Sequence, residues 1–285
     1  MEIVVSYNCH NVMNLMPFSV LMSLYAKEQP SFLRKSLDSI FSQSCRANEV
    51  ILVEDGPLTS NLYSVLDEYC ARYPELKRVP LSVNGGLGNA LNIGLSHCKN
   101  ELVARMDTDD IAKPDRFEKQ LAIFEKYPQV DVVSCWIDEF INTCDNIIST
   151  RKLPEFPYQI AQYAKKRCPI NHPAVMFKKN SVLFAGGYRP FPLFEDYYLW
   201  VRLLINGAKF YNLQESLLLF RTSPDMYKRR GGWKHAVDEV RFQNHIRELG
   251  FISRLNFIQN ISIRFIVRIL PNRIREFIYH MFLRK

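Results

Sequence analysis

The stretch LVARMDTDDIAKPDR, residues 102–116, decides how the chain is read. It begins with an apolar run, Leu102 to Ala104, and ends in a helix start at Pro114. Between them three carboxylates, Asp107, Asp109 and Asp110, fall within four positions. Like charges this close repel, and each is better solvated or paired. Side chains on a strand repeat every second residue, so Asp107 and Asp109 at a strand end share a face. Mg²⁺ or Mn²⁺ is commonly held by one or two carboxylates together with substrate phosphates. A polar loop capping the following helix would carry the same letters, so the surrounding order of elements has to decide.

Working outward, short apolar runs alternate with helical patterns. Strands are expected at 18–25, 50–53, 79–83 and 102–106, and helices at 32–43, 60–73, 89–98 and 115–127. Further strands are expected at 130–141 and 173–177, and a helix at 194–205. Strand–helix alternation with short connections implies a mostly parallel sheet flanked by helices. Ligands of such sheets bind at the carboxyl ends of the strands. Two acidic clusters, Glu54-Asp55 and Asp107 to Asp110, fall at ends of this kind, which turns two local oddities into one candidate site.

The 285 residues could hold one large domain or two small ones. Hydrophobic residues make up 47%, ample for a core, and the formal net charge of +8 asks for an anionic partner. Nucleic acid, an anionic membrane or a phosphorylated substrate would each fit. The seven cysteines include no CxxC pair, which argues against a zinc knuckle and for reduced thiols in cytoplasm. The N-terminus lacks the basic region and cleavage site of a signal peptide. No apolar run reaches the roughly 18–20 residues needed to span a bilayer.

Three more stretches could carry chemistry. VILVEDG (50–56) places Glu54 and Asp55 at a strand end, where a carboxylate can accept from a uracil imide or a ribose hydroxyl. NGGLGNALN (84–92) has glycines that admit a close ligand and a helix start with free N–H groups, with Gly86 and Asn89 as candidate contacts. It is neither a Walker loop nor GxGxxG. LFEDYYLWVR (193–202) opens an aromatic helix with Glu195-Asp196, which could supply a general base or simply complement the helix dipole.

Taken in order, these pieces resemble the family 2 inverting glycosyltransferases of the GT-A fold, and among them bacterial enzymes that build O-antigen or capsule repeat units. The resemblance runs from about Phe18 to Leu219. It implies a Rossmann-like α/β domain over 17–220, with a nucleotide half to about 110 and an acceptor half beyond it. It implies that Asp55 contacts uracil with Glu54 beside it, that Asp107 lies near the ribose, and that Asp109, with Asp107, ligates Mn²⁺ or Mg²⁺ on UDP. Asp196 would be the catalytic base, with Glu195 beside it. The Gln-x-x-Arg-Trp signature of processive members is absent, and Arg229 and Arg230 in RRGGW (229–233) occupy that region as candidate diphosphate contacts. The expected reaction is transfer of one hexose, galactose or glucose, from a UDP-sugar to a GlcNAc- or GalNAc-diphosphate-undecaprenol lipid, with a β-1,3 linkage.

Inversion is a single in-line displacement, which needs a base on the acceptor hydroxyl and help for the departing diphosphate, but no covalent nucleophile. The cysteines are therefore read as structural. His172 could line the acceptor side and His235 could reach the metal, although a lone histidine is more often structural. Residues 221–285 form a basic loop and tail. From 254 on, seven Arg and Lys face the single acid Glu276, with Leu255, Ile258, Ile261, Phe265, Ile266 and Ile269 at helical spacing. That is the pattern of a helix lying in a membrane interface, here the cytoplasmic face of the bacterial inner membrane, reached peripherally. Packing of the same stripe on the domain is the competing reading. A nucleotidyltransferase would share the carboxylates, yet its glycine-rich basic loop is missing between Met22 and Phe32. A nucleic-acid binder would carry its basic residues on the folded domain rather than in the tail and the loop at Lys228 to Arg230.

Overall fold

The structure, a computed structural model, describes residues 16–223 and 233–269. Arg229, Arg230 and the tail beyond 269 lie outside the described residues. The chain opens with four strands joined by three helices: β1 (Phe18–Leu24), α1 (Pro30–Phe41), β2 (Glu49–Glu54), α2 (Ser60–Arg72), β3 (Leu76–Pro80), α3 (Leu87–His97) and β4 (Leu102–Asp107). β2 is buried at all six positions, as expected of a parallel strand covered on both faces. Side chains alternate between the layers. Val20, Met22 and Leu24 join the core under α1 and α2, whereas Leu21 joins the core under α3, with Ile51 and Val53 beside it.

Helix ends follow local chemistry. Pro30 sits at the start of α1, where its missing N–H costs nothing. The Thr59 hydroxyl caps α2 by accepting from the Leu62 amide at 3.4 Å.

The chain continues through β5 (Ile111–Ala112), α4 (Arg116–Lys126), β6 (Val132–Phe140), β7 (Ile147–Arg151) and α5 (Pro157–Ala164). After a 3-10 turn at His172–Ala174 come β8 (Met176–Lys178), α6 (Lys179–Phe184), α7 (Glu195–Ile205) and β9 (Phe210–Arg221). The strand order is β3-β2-β1-β4-β8-β6-β9-β5, with β7 on β6. β3, β2, β1 and β4 are mutually parallel, and β8 then pairs antiparallel with both β4 and β6. The chain moves outward from β1 to β3 and returns to the other side of β1 as β4. The crevice between β1 and β4 is thus a topological switch point. Register brings Ser23 opposite both Val53 and Asp107, so the carboxyl ends of the three strands are level.

Two helices complete the described chain, α8 (Trp233–Glu248) and α9 (Arg254–Ile269). α8 is seated on α7: the Phe242 ring stacks on Phe194 at 4.7 Å and meets Tyr197 at 4.9 Å. α9 turns polar groups inward. The Asn260 amide donates at 2.8 Å to the Lys165 carbonyl and at 2.8 Å to the Gln243 side chain, and Arg264 pairs with Glu239. Its outer face carries Leu255, Ile258 and Ile263, which are 73%, 59% and 65% exposed. None of the described helices is long and apolar enough to cross a membrane.

Candidate active site

A cavity of about 820 Å³ opens at the switch point. Its wall includes Ser23 and Tyr25 from the end of β1, Asp55 after β2, Gly86 at the head of α3, Asp107 and Asp109 after β4, and Arg221 at the end of β9. Strands that were separate in sequence meet here because the parallel register aligns their ends.

Asp55 organises the glycine loop. Its two carboxylate oxygens accept from the Gly85 amide at 2.7 Å and the Gly86 amide at 3.1 Å. Gly86 has φ of +84°, a conformation glycine reaches without strain. A Cβ on Gly85 would lie 2.4 Å from the Asn89 side-chain nitrogen, so Asn89 closes the loop from below. Asn89 is not part of the cavity wall, and neither is Glu54. Glu54 is buried and accepts from Arg78 at 2.5 Å; Arg78 also reaches Asp67 at 2.7 Å. Adjacent strand residues face opposite ways, so Glu54 and Asp55 are divided between an ion pair and the cavity.

Asp107, Asp109 and Asp110 each offer an oxygen within 4.8 Å of the others. Asp107 is gripped by both guanidinium ends of Arg105, one at 2.7 Å. Asp110 is fully buried and accepts from the Arg221 amide at 2.8 Å, while its second oxygen has no hydrogen-bond partner among the described residues. Burial, then the charges of Asp107 and Glu28, push the Asp109 carboxyl up to about 7. Burial, then the charges of Asp109 and Asp107, raise Asp110 as well. Crowded carboxylates, an orphaned buried oxygen and an all-oxygen donor set fit a hard divalent cation.

Arg221 was not among the residues expected from the sequence. Its Nε donates to the Asp109 carbonyl at 2.9 Å, and its guanidinium lies 3.8 Å from the Phe32 ring centre and 4.6 Å from that of Phe140. Its Nη2 is buried with no hydrogen-bond partner among the described residues. The available signal was an arginine closing the apolar run Leu217 to Phe220, the same strand-end logic that picked out the acids. Arg105 was missed as well, although it shares a strand face with Asp107.

Glu195 and Asp196 open α7, where the amide ends of a helix favour negative charge. Asp196 accepts from the Tyr197 amide at 2.7 Å, and the Cys168 thiol points at its other oxygen from 3.7 Å. Burial and the neighbouring Asp196 raise the Glu195 carboxyl. The pair lies against the glycine helix, since a Cβ on Gly88 would be 3.9 Å from the Glu195 carboxyl carbon. Neither acid belongs to the cavity wall. The buried phenol of Tyr188 connects the two regions: it lies within electrostatic reach of Arg105, Asp107 and Asp196. His172 is held by the Tyr188 hydroxyl at 3.0 Å and packs edge-on against Trp200. His235 packs edge-on against Phe194 at 6.0 Å. The metal-capable cluster among the described residues contains neither histidine. Among the described residues six cysteines are free thiols.

The arrangement is a cavity with an acidic cluster that could hold a cation, flanked by a second acidic pair. Comparison with known proteins shows the family. The chain is 43% identical to the UDP-Gal:alpha-D-GlcNAc-diphosphoundecaprenol beta-1,3-galactosyltransferase of Escherichia coli, across 94% of this chain and 97% of that protein. It is 39% identical to the amylovoran biosynthesis glycosyltransferase AmsE of Erwinia amylovora, across 92% and 97%. The fold is shared with S. aureus TarS 1-349 in complex with UDP-GlcNAc, with a TM-score of 0.59 at 18% identity over 79% of this chain and 67% of that one. The family model for Glycosyl transferase family 2 matches residues 19–183, from β1 through the acidic cluster to α6, and the chain belongs to that family.

Proposed function

We propose that this glycosyltransferase moves one galactose from UDP-galactose to the GlcNAc of a GlcNAc-diphosphate-undecaprenol lipid, forming a β-1,3 linkage with inversion. The observation that carries the reading is the 43% identity, across nearly the whole of both chains, to an enzyme named for that reaction. The cavity chemistry agrees. Asp55 keeps lone pairs for a uracil imide while it holds Gly85 and Gly86. Asp109, with Asp107, would hold Mn²⁺ or Mg²⁺, whose positive charge offsets the charge developing on the departing UDP. Arg221 lines the cavity and brings that diphosphate a positive charge. Asp196 takes the proton of the acceptor hydroxyl, and Glu195 beside it orients the acceptor.

The acceptor of such a reaction is anchored in a bilayer, and α9 suits an approach to the cytoplasmic face. An ordinary surface helix buries its apolar stripe, but α9 packs Phe257, Asn260 and the half-buried Arg264 inward and exposes Leu255, Ile258 and Ile263. Replacing those three by serine is expected to lower co-sedimentation with anionic lipid vesicles at least severalfold while leaving the melting temperature unchanged. Unchanged co-sedimentation would remove α9 from the membrane contact.

The donor is tested by mixing the purified protein with GlcNAc-diphosphate-lipid and radiolabelled UDP-galactose, UDP-glucose or UDP-GlcNAc. Transfer from UDP-galactose alone, with product digestible by a β-1,3-specific galactosidase, is the expected result. Transfer from another donor in preference would overturn the choice of sugar.

A further inference from the structure

We infer that Asn92 is a positioning residue for the acidic pair that opens α7, acting through the backbone of Tyr188. The inference rests on the reading of Asp196 as the base. Asn92 lies on α3, the helix led by the glycine loop, and Tyr188 lies 96 residues further on, in the segment between α6 and α7. The Asn92 side-chain amide donates to the Tyr188 carbonyl at 2.7 Å, and its oxygen accepts from the Tyr188 amide at 2.7 Å. A single side chain thus satisfies both backbone groups of one residue in a segment that has no sheet partner to do so.

The segment is built to reach this clasp. Gly187 has φ of +63°, and a Cβ there would lie 2.6 Å from the Asn92 oxygen. Any larger residue would push the two apart. From the opposite side Arg202 of α7 donates to the Gly187 carbonyl at 2.6 Å and also to that of Ala185. Tyr188 is therefore held between α3 and α7. Its Cβ is 3.6 Å from where a Gly88 Cβ would be, next to the point where Glu195 meets the same glycine. α3 carries the loop that Asp55 holds, and α7 carries Glu195 and Asp196. The clasp fixes one against the other, and so sets the distance between donor and base.

Misplacement of a reacting group by about 1 Å can cost on the order of 10²-fold in rate. Asn92→Ala is expected to lower kcat about 10- to 100-fold with the KM for UDP-galactose within about twofold of wild type. Titration with UDP counts the folded sites, and kcat is expressed per UDP-binding site so that unfolding does not count as a catalytic defect. Gly187→Ala strains the same clasp from the other partner. The double variant is expected to lose no more than the worse single one, because both act on one contact. A kcat per site within twofold of wild type in Asn92→Ala would overturn the inference, and so would additive losses in the double variant. Asp196→Asn separates the two readings. If it abolishes transfer while Asn92→Ala does not, the clasp alone is wrong; if it retains transfer, the Asp196 assignment falls, and the Asn92→Ala result still decides the clasp through Glu195 of the same pair.

Discussion

Asp196→Asn should lower kcat by about 10²–10⁴-fold and leave UDP affinity unchanged. The substitution is nearly isosteric. The amide oxygen can still accept from the Tyr197 amide, which is 2.7 Å from Asp196 Oδ1, so the head of α7 keeps its local structure. The lost property is the capacity to take a proton from the acceptor hydroxyl. Asp196 is not part of the cavity wall, so a UDP titration should give the wild-type constant and one site per chain. A fall in kcat without a change in UDP binding is the signature of an interaction made only during the chemical step. Wild-type turnover in this variant would pass the base role to Glu195, and Glu195→Gln would then show the large loss instead.

The parallel half of the fold was readable because its strands are buried on both faces and bounded by turns. VILVEDG and the run before Asp107 announce themselves as apolar segments ending in acids. β3 was misplaced. It was expected at 79–83 and lies at Leu76–Pro80. Its first residues include Lys77 and Arg78, which a hydrophobic reading discounts, yet on this edge strand they pair with Glu49 and Glu54 of β2. Val83 lies beyond it and is 69% exposed. The strand expected at 173–177 begins instead as a 3-10 turn, since Pro173 cannot donate to a ladder. β9 was missed because Gln214-Glu215-Ser216 interrupts its apolar pattern where the register against β6 shifts.

The site divides in the same way. The acids at strand ends were visible because topology sends ligands to that edge. Arg105 and Arg221 were hidden because a cation inside an apolar run reads as noise until its partner is located, here the Asp107 carboxylate and the Asp109 carbonyl. The Asn92–Tyr188 clasp joins residues 96 apart, a pairing that no local pattern encodes.

Asp109→Asn should reduce transfer by about 10²–10³-fold, the scale expected when a pre-aimed charge opposite the leaving group is lost. EDTA should impose a comparable loss on the wild type, and Mn²⁺ should restore wild-type activity but not that of the variant. The three acids of the cluster are not equivalent, which makes the position informative. Asp107 shares its oxygens with Arg105 and has only its remaining lone pairs for a cation, and Asp110 is fully buried and holds the Arg221 amide. Asp109 lines the cavity, and its contact with Arg221 is made by its backbone carbonyl, so its carboxylate is left for a ligand. Asparagine at 109 keeps the volume and removes the charge, and Arg221 should stay in place because the carbonyl it bonds is unchanged. Direct titration with Mn²⁺ in the presence of UDP provides a readout independent of turnover: binding should weaken at least tenfold in the variant. If Mn²⁺ affinity and EDTA sensitivity both matched the wild type, the cation would have to sit elsewhere and Asp109 would lose its assignment. If EDTA left wild-type transfer intact, the cation role would fall, and Arg221, which lines the cavity, would be left to balance the charge on the departing diphosphate.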